Sequence, residues 1–280
     1  MNAAVLRARH PWRGLIFLGG LLAAVWLAAW WVEFDIRALF GRDGVEAFRK
    51  VGERLWPPKL SSEVLHNALT GMVQTLALSI VGTLFGVLLG LLLAPFAART
   101  VFVEGPLVDR RPRGRGARLG HKAVHVGVRL CANALRTIPY LILAMLFVFM
   151  VGLGPFAGAL ALALHTGGVF GRLYAQAIDE LDPRPLLALQ ATGASRFQIW
   201  FYGMLPALRP ALLSYTFYRW EVNIREAAVL GFVGAGGLGY HIQFALGTFH
   251  WSALGTYLLA TLVLVLAVDA LSARLRKALL

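Results

Sequence analysis

The chain has 280 residues, of which 58% are hydrophobic and 15% charged, with a formal net charge of +13 and a mean hydropathy of +0.67. This composition is typical of a membrane protein and excludes an ordinary soluble domain or a disordered chain. A basic excess can also indicate nucleic-acid binding, but here it is divided among several loops. We therefore expect it to orient the chain in a bilayer and to contact anionic lipid, not nucleic acid.

Six apolar segments are long enough to cross about 30 Å of hydrocarbon. They are residues 14–32, 69–96, 130–151, 155–174, 206–230 and 251–271. Basic residues precede the first segment, as in a signal peptide, but its length and its bulky end at Trp30 and Trp31 favour a permanent anchor. The sequence therefore predicts an all-α polytopic membrane protein, with an anchor helix and an external segment in 1–66 and a membrane core in 67–280.

The distribution of Lys and Arg predicts the orientation, because basic loops stay in the cytoplasm. If both termini are cytoplasmic, the cytoplasmic segments hold 17 of the 27 basic residues. The long external loop, 33–66, then carries six basic and six acidic residues and no net charge. We therefore expect both termini on the cytoplasmic side.

Two soluble segments have recognisable character. Residues 41–56 are predicted to form an amphipathic helix on the bilayer surface, with Trp56 at the interface and Pro57-Pro58 ending the helix. Residues 97–122 are rich in Arg, Gly and Pro, a composition that cannot pack a core, and we interpret them as a mobile linker. Contact of that linker with lipid or with a partner subunit is the alternative.

Small residues and charges mark the membrane helices. In the second segment, Gly82, Gly86 and Gly90 are four residues apart, so they form one stripe that permits close approach of a neighbouring helix. The stripe fits either the protomer interior or the seam of a homodimer. In the third segment, Asn133 and Arg136 are polar candidates for a transport path, although Arg136 could instead extend towards the cytoplasmic face.

Four charged side chains lie 13 to 20 residues past the start of the fifth segment: Arg219, Glu221, Arg225 and Glu226. Each ionised group at mid-membrane costs on the order of 2.5 to 3.5 kcal/mol, so none of them can face lipid. Helical spacing places Arg219, Asn223 and Glu226 on one face and predicts an i,i+4 pair of Glu221 with Arg225 on the other. These charges either hold helices together or line a polar path for an anion.

A glycine-rich turn follows this helix, where Gly234, Gly236 and Gly239 spell GxGxxG. A dinucleotide site is excluded by context, since no second strand follows and Leu259 occupies the position of the expected ribose-binding acid. Glycine permits a tight turn, and clustered backbone N–H groups can bind an anion. Both interpretations remain open from the sequence.

No enzyme or metal motif occurs. The chain lacks a GxxxxGK[ST] phosphate loop, HExxH and GxSxG, so it cannot supply its own ATPase. The pair His121 and His125 lacks Cys or carboxylate ligands nearby, so no metal site is expected. Cys131 is the single cysteine; it excludes a disulfide framework, and we expect it to be inert and buried in a membrane helix.

The stretch 187–206, LALQATGASRFQIWFYGMLP, resembles the cytoplasmic coupling loop of ABC importer permeases, the EAA loop. Gly193-Ala194-Ser195 and Leu205-Pro206 carry the resemblance, whereas Leu187 stands where that family usually has Glu. The resemblance implies a cytoplasmic coupling loop at 175–205 that contacts a separate ATPase. The coupling residues that it implies are Ala188, Gly193, Ala194, Ser195, Arg196 and Pro206.

Further motifs are similar to the permease subunit of phosphonate-type importers, the branch that also handles phosphite. They are Tyr-Arg-x-Glu-x-Asn-x-Arg at 218–225, VGAGGLGY at 233–240, NALRTIP at 133–139 and GLGPFAG at 152–158. The resemblance implies a type I, MetI-like permease of the bacterial inner membrane. It further implies that the permease works as a homodimer, together with two ATPase subunits that bind ATP and Mg²⁺ and with a periplasmic binding protein.

The substrate implied by this resemblance is a phosphonate, phosphite or related phosphorus oxyanion. The implied translocation residues are Asn133, Arg136, Tyr218, Arg219, Glu221, Asn223 and Arg225, and the implied gate is formed by Gly234, Gly236, Gly237 and Gly239. The alternatives are an importer permease for another small solute, such as an amino acid, or an ATPase-independent channel.

Overall fold

The computed structural model describes residues 11–35, 40–102 and 115–279, and every regular element within these ranges is helical, which confirms the all-α prediction. The main helices are α1 Pro11–Trp31, α2 Arg42–Leu55, α3 Ser62–Ala97, α4 Arg115–Thr137, α5 Tyr140–Val151, α6 Pro155–Asp179, α7 Pro183–Ala191, α8 Leu205–Leu230, α9 Gly237–Gly247 and α10 Trp251–Leu279. A π-helix, Ile199–Met204, leads into α8.

The chain divides into two compact units, one ending at Arg54 and one beginning at Leu55. In the first unit, none of Gly14–Trp31 is buried, as expected of an apolar helix that faces lipid. The helix predicted for 41–56 is confirmed as α2, which carries i,i+4 ion pairs of Arg49 with Glu53 and Lys50 with Glu46, whereas its external location stays a prediction. Its position at the bilayer surface stays a prediction.

The predicted number of spans is confirmed when bent helix pairs are each counted as one. Helices α1, α3, α6 and α10 are long and apolar enough to cross a membrane singly. The pair α4 and α5 is bent by 90°, and the pair formed by residues 199–233 and α9 is bent by 44°.

The third predicted span, 130–151, was wrong as a continuous helix. It breaks between Thr137 and Tyr140 because Pro139 has no amide hydrogen to donate and pushes Ile138 out of the helical region. The linker interpretation was wrong for residues 115–122, which belong to α4, a helix that continues to Thr137 and packs on α6. It was also wrong for 97–102, where Ala97 and Ala98 are buried and Arg99–Phe102 forms a short helix. Residues 103–114 lie outside the described residues.

The glycine stripe of α3 packs against α6 in the same protomer. A methyl group at Gly82 or Gly86 would lie 2.7 Å from side-chain atoms of Leu162 or Thr166, and one at Gly90 would overlap Phe170. Close contact also occurs in the other direction, since Gly167 of α6 packs against Leu89 of α3. The stripe therefore belongs to the protomer interior, which answers the question that the sequence left open.

Candidate translocation site and coupling segment

The most deeply buried ion pair of the described residues lies within α8. Arg219 donates from one guanidinium nitrogen to both carboxylate oxygens of Glu226 at 2.9 Å, and the two side chains are only 12% and 13% exposed. The pair contributes to the electrostatic environment of Tyr140 on α5 and His165 on α6, so three helices converge on it. The predicted shared face of Arg219 and Glu226 is confirmed.

The predicted i,i+4 pair of Glu221 with Arg225 is wrong. Arg276 of α10 lies 2.6 Å from Glu221, and Arg225 lies 2.6 Å from Asp269, also on α10. The two helices pack along each other, and the long arginine side chains reach a carboxylate on the neighbouring helix. These cross-helix pairs neutralise charges that would otherwise be costly in a membrane.

Asn223 of α8 is fully buried and joins three helices. Its amide oxygen accepts a hydrogen bond from Thr166 of α6 at 3.1 Å, and its amide nitrogen donates to Thr83 of α3 at 2.7 Å. Thr83 in turn donates to the carbonyl of Ser79 at 2.6 Å. Both the oxygen and the nitrogen of this buried amide are therefore hydrogen-bonded, as buried polar groups must be. Through these bonds Asn223 fixes α8 against the α3–α6 pair.

The bend after α4 brings polar groups to the middle of α6. Arg136, the second-last residue of α4, donates to the amide oxygen of Asn133 at 3.4 Å, as does Arg172 of α6. The backbone nitrogen of Arg136 lies 2.7 Å from where a methyl group on Gly168 would be. Arg136 therefore lies at the end of a helix, next to a bend, whereas the alternative of extension towards the cytoplasmic face assumed that it begins one.

Two smaller expectations concern α4, and the one about Cys131 is wrong. Cys131 is exposed and not buried, because the neighbouring Ala132 carries the contact with the glycines of α6. Among the described residues no group of His, Cys, Asp and Glu could hold a metal ion. Instead, His125 is buried with its Nδ1 atom 3.1 Å from the carbonyl oxygen of Phe96.

The glycine-rich turn is bonded to its surroundings. Gly234, Gly236 and Gly237 have φ of 86°, 77° and 73°, a conformation that favours glycine. At the start of α9, the Gly237 N–H donates to the Gln74 side chain at 3.0 Å, and the Leu238 N–H donates to Thr75 at 2.9 Å. These two donors are occupied by α3, which favours the structural-turn interpretation over an anion nest.

The same turn contacts two further elements. The Gly154 N–H, between α5 and α6, donates to the carbonyl of Gly234 at 3.0 Å. Gly239 of α9 packs against the backbone at the end of α8, where a side chain would overlap the carbonyl of Ala228. The turn therefore connects to α3 and to the start of α6 through hydrogen bonds, and to α8 through a close backbone contact at Gly239 that leaves no room for a side chain.

The predicted coupling segment forms a short helix and a fixed turn. Asp182 caps α7 by accepting from the Arg184 N–H at 3.0 Å. Gly193 follows the C-terminal end of α7 and has a φ of 83°, and a methyl group there would meet nothing within 4 Å. Next, the Ser195 N–H donates to the Gln198 side chain at 2.7 Å, and the Gln198 N–H donates back to Ser195 at 3.3 Å.

The two faces of α7 differ. Leu186 is buried in a core with Phe170 and Tyr174 of α6 and with Met204 of the π-helix. On the opposite face, Leu187 and Ala188 are exposed. Pro206 lies in the first turn of α8, directly after the π-helix. The segment is therefore attached to α6 and α8 on one side and open on the other.

Sequence reasoning missed several residues of this region. Asp269 was a detectable signal, since it is a lone acid in an apolar span, but its partner could not be inferred. Tyr140, Thr83 and Thr166 gave no signal, because hydroxyl groups are common in membrane helices. The exposed aromatic side chains Phe197 and Tyr202 flank the coupling turn. The side chain of Arg196, one of the predicted coupling residues, lies outside the described residues.

The family model described as binding-protein-dependent transport system inner membrane component matches residues 116–280. The phosphite transport system permease protein PtxC of Stutzerimonas stutzeri is 33% identical over 267 residues, covering 95% of this chain and 90% of that protein. The chain belongs to this permease family. It is the multi-pass inner-membrane subunit of an ABC importer and not an enzyme; ATP hydrolysis and substrate capture belong to separate subunits.

Two other comparisons agree with this assignment. The phosphate-import permease protein PhnE of Mycolicibacterium smegmatis is 33% identical, covering 80% of this chain and 38% of that protein. An inward-facing structure of the MetNI methionine ABC transporter matches with a TM-score of 0.65 and 24% identity, covering 79% of this chain and all of that one. The structural match shows that the permease has the MetI-like fold.

Proposed function

We propose that this permease imports a phosphorus oxyanion, either a phosphonate, phosphite or a close relative, by alternating access. It would work as a homodimer with two ATPase subunits and a periplasmic binding protein, with both termini in the cytoplasm. The observation that carries the proposal is Arg219, whose guanidinium is buried where α5, α6 and α8 meet and, among the described residues, forms its ion pair with Glu226. The relatives PtxC and PhnE are named for phosphite transport and phosphate import.

Phosphite, phosphate and phosphonates share a tetrahedral phosphorus with charged oxygens. A guanidinium matches that arrangement with two parallel hydrogen bonds, as it does a carboxylate. The oxyanion would therefore replace Glu226 as the partner of Arg219, and the return of Glu226 would release it. A carboxylate that competes with the substrate keeps binding weak, which a transport pathway requires.

The remaining candidates would surround this exchange. Asn133 and Arg136 lie at the bend facing the middle of α6, and Tyr218 is exposed on α8. Glu221 and Arg225 would hold α8 against α10, and Asn223 would hold it against α3 and α6. The turn formed by Gly234, Gly236, Gly237 and Gly239 would be the outer gate, because its backbone bonds join the helices that must separate.

The coupling segment would transmit the motion of the ATPase. The exposed face around Ala188, together with Gly193, Ala194, Ser195 and Arg196, would bind the ATPase. The buried face shares a core with α6, and the π-helix connects α7 to Pro206 and α8. Displacement of α7 would therefore move α8 with it and open or close the path at Arg219.

Uptake by the assembled importer in proteoliposomes tests the substrate. We expect ATP-dependent uptake of phosphite, phosphate or methylphosphonate and none of methionine; uptake of methionine alone would contradict the proposal. Arg219→Gln should reduce uptake by about 100-fold, given the roughly twofold greater strength of charge-assisted hydrogen bonds and the loss of bidentate geometry. Arg274→Gln, at an exposed position, is the matched control and should transport normally.

The counter-ion exchange predicts a kinetic signature. Glu226→Gln keeps a hydrogen-bond acceptor but removes the competing charge, so both the KM and the kcat of transport should fall. A rise in KM would show that Glu226 does not compete with the substrate.

Gly193→Leu tests the coupling assignment. Its φ favours glycine and its surroundings are open, so the cost is backbone strain of about 1–2 kcal/mol, and the permease should still fold. We expect ATP hydrolysis without matching uptake. Gly127→Leu, on α4 with no neighbour within 4 Å and no positive φ, should leave the ratio of ATP hydrolysed to substrate carried unchanged. Unchanged coupling in the Gly193 variant would remove this assignment.

A further inference from the structure

A basic cleft opens in the second unit between the end of α3 and the outer side of α4. Its volume is about 410 Å³, and it is lined by Arg99, Lys122, His125, Val126, Arg129, Leu130 and Asn133. Ala97 and Ala98, next to Arg99, pack in the same core as Leu186 of α7. The cleft therefore lies at the end of the molecule that carries the coupling segment, which is the side of the ATPase.

The three cations of the cleft have no acidic partner in the part of the chain that the structure describes. Within the described residues, no carboxylate oxygen lies within ion-pair distance of Arg99, Lys122 or Arg129, in contrast to the paired charges of α8. Asp179 lines the adjoining cavity, but its Oδ1 atom accepts from the backbone and the hydroxyl of Thr100 at 2.9 and 2.8 Å. These bonds fix the turn that presents Arg99 to the cleft.

One wall of the cleft is apolar. Val126 and Leu130 lie one helical turn apart on α4 and are 51% and 62% exposed. They share the face of α4 that carries Lys122 and Arg129. Unpaired cations beside an exposed apolar wall suit a ligand with an anionic head and a hydrocarbon tail, whereas a free anion would gain nothing from the apolar wall.

We propose that this cleft binds the phosphate headgroup of an anionic phospholipid of the cytoplasmic leaflet, with its acyl chain along Val126 and Leu130. The guanidinium and ammonium groups donate charge-assisted hydrogen bonds to the phosphate oxygens. Basic pockets between membrane helices on the cytoplasmic side are suited to such headgroups. This site is separate from the Arg219 pair and does not depend on the proposed substrate.

Native mass spectrometry of the full-length permease, titrated with phosphatidylglycerol or phosphatidylcholine, tests the inference. We expect preferential binding of phosphatidylglycerol. Lys122→Gln/Arg129→Gln should weaken this binding roughly 30-fold, which is the combined effect of removing two basic residues that each make the contribution typical beside an anionic membrane. Arg274→Gln/Lys277→Gln removes the same two kinds of charge from exposed positions on α10 and should bind like the unaltered protein. Equal binding by the cleft variant, or equal loss in the control, would overturn the proposal.

A second variant separates a lipid from a free anion. Val126→Ser/Leu130→Ser keeps all three cations and should reduce phosphatidylglycerol binding, while millimolar inorganic phosphate should not displace the lipid from the unaltered protein. Displacement by inorganic phosphate, with binding unaffected by the serine substitutions, would show a free-phosphate site and overturn the lipid assignment. Lys122, Val126 and Leu130 are exposed and Arg129 is half-buried, so both variants should fold, and the melting temperature of the purified protein is the folding control.

Discussion

The α3–α6 contact and the α8–α10 contact are built on opposite principles. The first contact joins glycines of one helix to Leu162, Thr166 and Phe170 of the other at the closest possible separation. The second joins Glu221 to Arg276 and Arg225 to Asp269. A contact specified by shape has one arrangement, because any shift creates overlap or voids. A contact specified by charge can exchange one partner for another.

This difference indicates which part of the permease is rigid and which part moves. Helices α3 and α6 would form the fixed frame of the second unit. Helix α8, which carries Arg219 and follows the coupling segment, is held to that frame by Asn223 and to α10 by ion pairs. Transport of an anion requires charges that can change partner, and these are concentrated on α8.

The largest effect is expected from breaking the contact specified by shape. Gly86→Leu would place a side chain inside Thr166. Extra methylenes in a packed core typically cost about 1–3 kcal/mol, and a whole leucine side chain should exceed that range, so we expect loss of the folded permease. Gly20→Leu, on α1 with no neighbour within 4 Å, should extract and elute normally. Size-exclusion chromatography of detergent-extracted protein measures the folded fraction; a folded Gly86 variant would show that the frame is not rigid.

A smaller effect is expected at the contact specified by charge, and it should be reversible. Arg276→Glu leaves two facing acids and should reduce the free energy of unfolding by about 3 kcal/mol, the lower end for breaking a buried pair. Adding Glu221→Arg reverses the pair and should restore at least half of that loss. Unfolding in sodium dodecyl sulfate titrations measures both. If the reversed pair is no more stable than the single variant, the two side chains do not interact.

Asn223 lies where the two contacts meet, and its replacement should have an intermediate effect. Asn223→Leu removes bonds to Thr83 and Thr166 and should reduce the free energy of unfolding by about 1–2 kcal/mol, in the range of interhelical hydrogen bonds in membranes. Thr70→Val, which removes only hydroxyl bonds to the carbonyls of its own helix, is a control with little expected change. If Asn223→Leu reduces the free energy of unfolding by less than Thr70→Val does, the hydrogen bonds of Asn223 do not hold α8 against α3 and α6.

The smallest effect is expected at the most exposed pair. The Arg225 side chain is half exposed, so Arg225→Gln should change the free energy of unfolding by about 1 kcal/mol or less. Raising the ionic strength should reduce the difference between this variant and the unaltered protein, because salt screens exposed charges. A loss as large as that of Arg276→Glu would show that the α10 pairs are equivalent and that exposure does not rank them.

Local features were predictable to the extent that their causes are local. The spans followed from runs of apolar residues, and the end of α2 followed from Pro57-Pro58. The break at Pro139 was also encoded locally, yet an apolar run on both sides of a proline does not distinguish a kinked helix from a right-angle bend. The helical start of α4 was obscured by its Gly-containing, Arg-rich composition, although Arg itself favours helices.

The sequence by itself determined that the chain is an all-helical membrane protein, that the charges of α8 could not face lipid, and that a glycine stripe on α3 required a close neighbour. These conclusions rest on hydrocarbon thickness, desolvation cost and helical spacing, which act along a single segment. Only the tertiary structure decided that α6 is that neighbour, that α10 supplies Arg276 and Asp269, and that Arg99, Lys122 and Arg129 gather in one cleft beside α4. Such pairings depend on which helices lie together, and residues more than 40 positions apart carry no local signal of their distance in space.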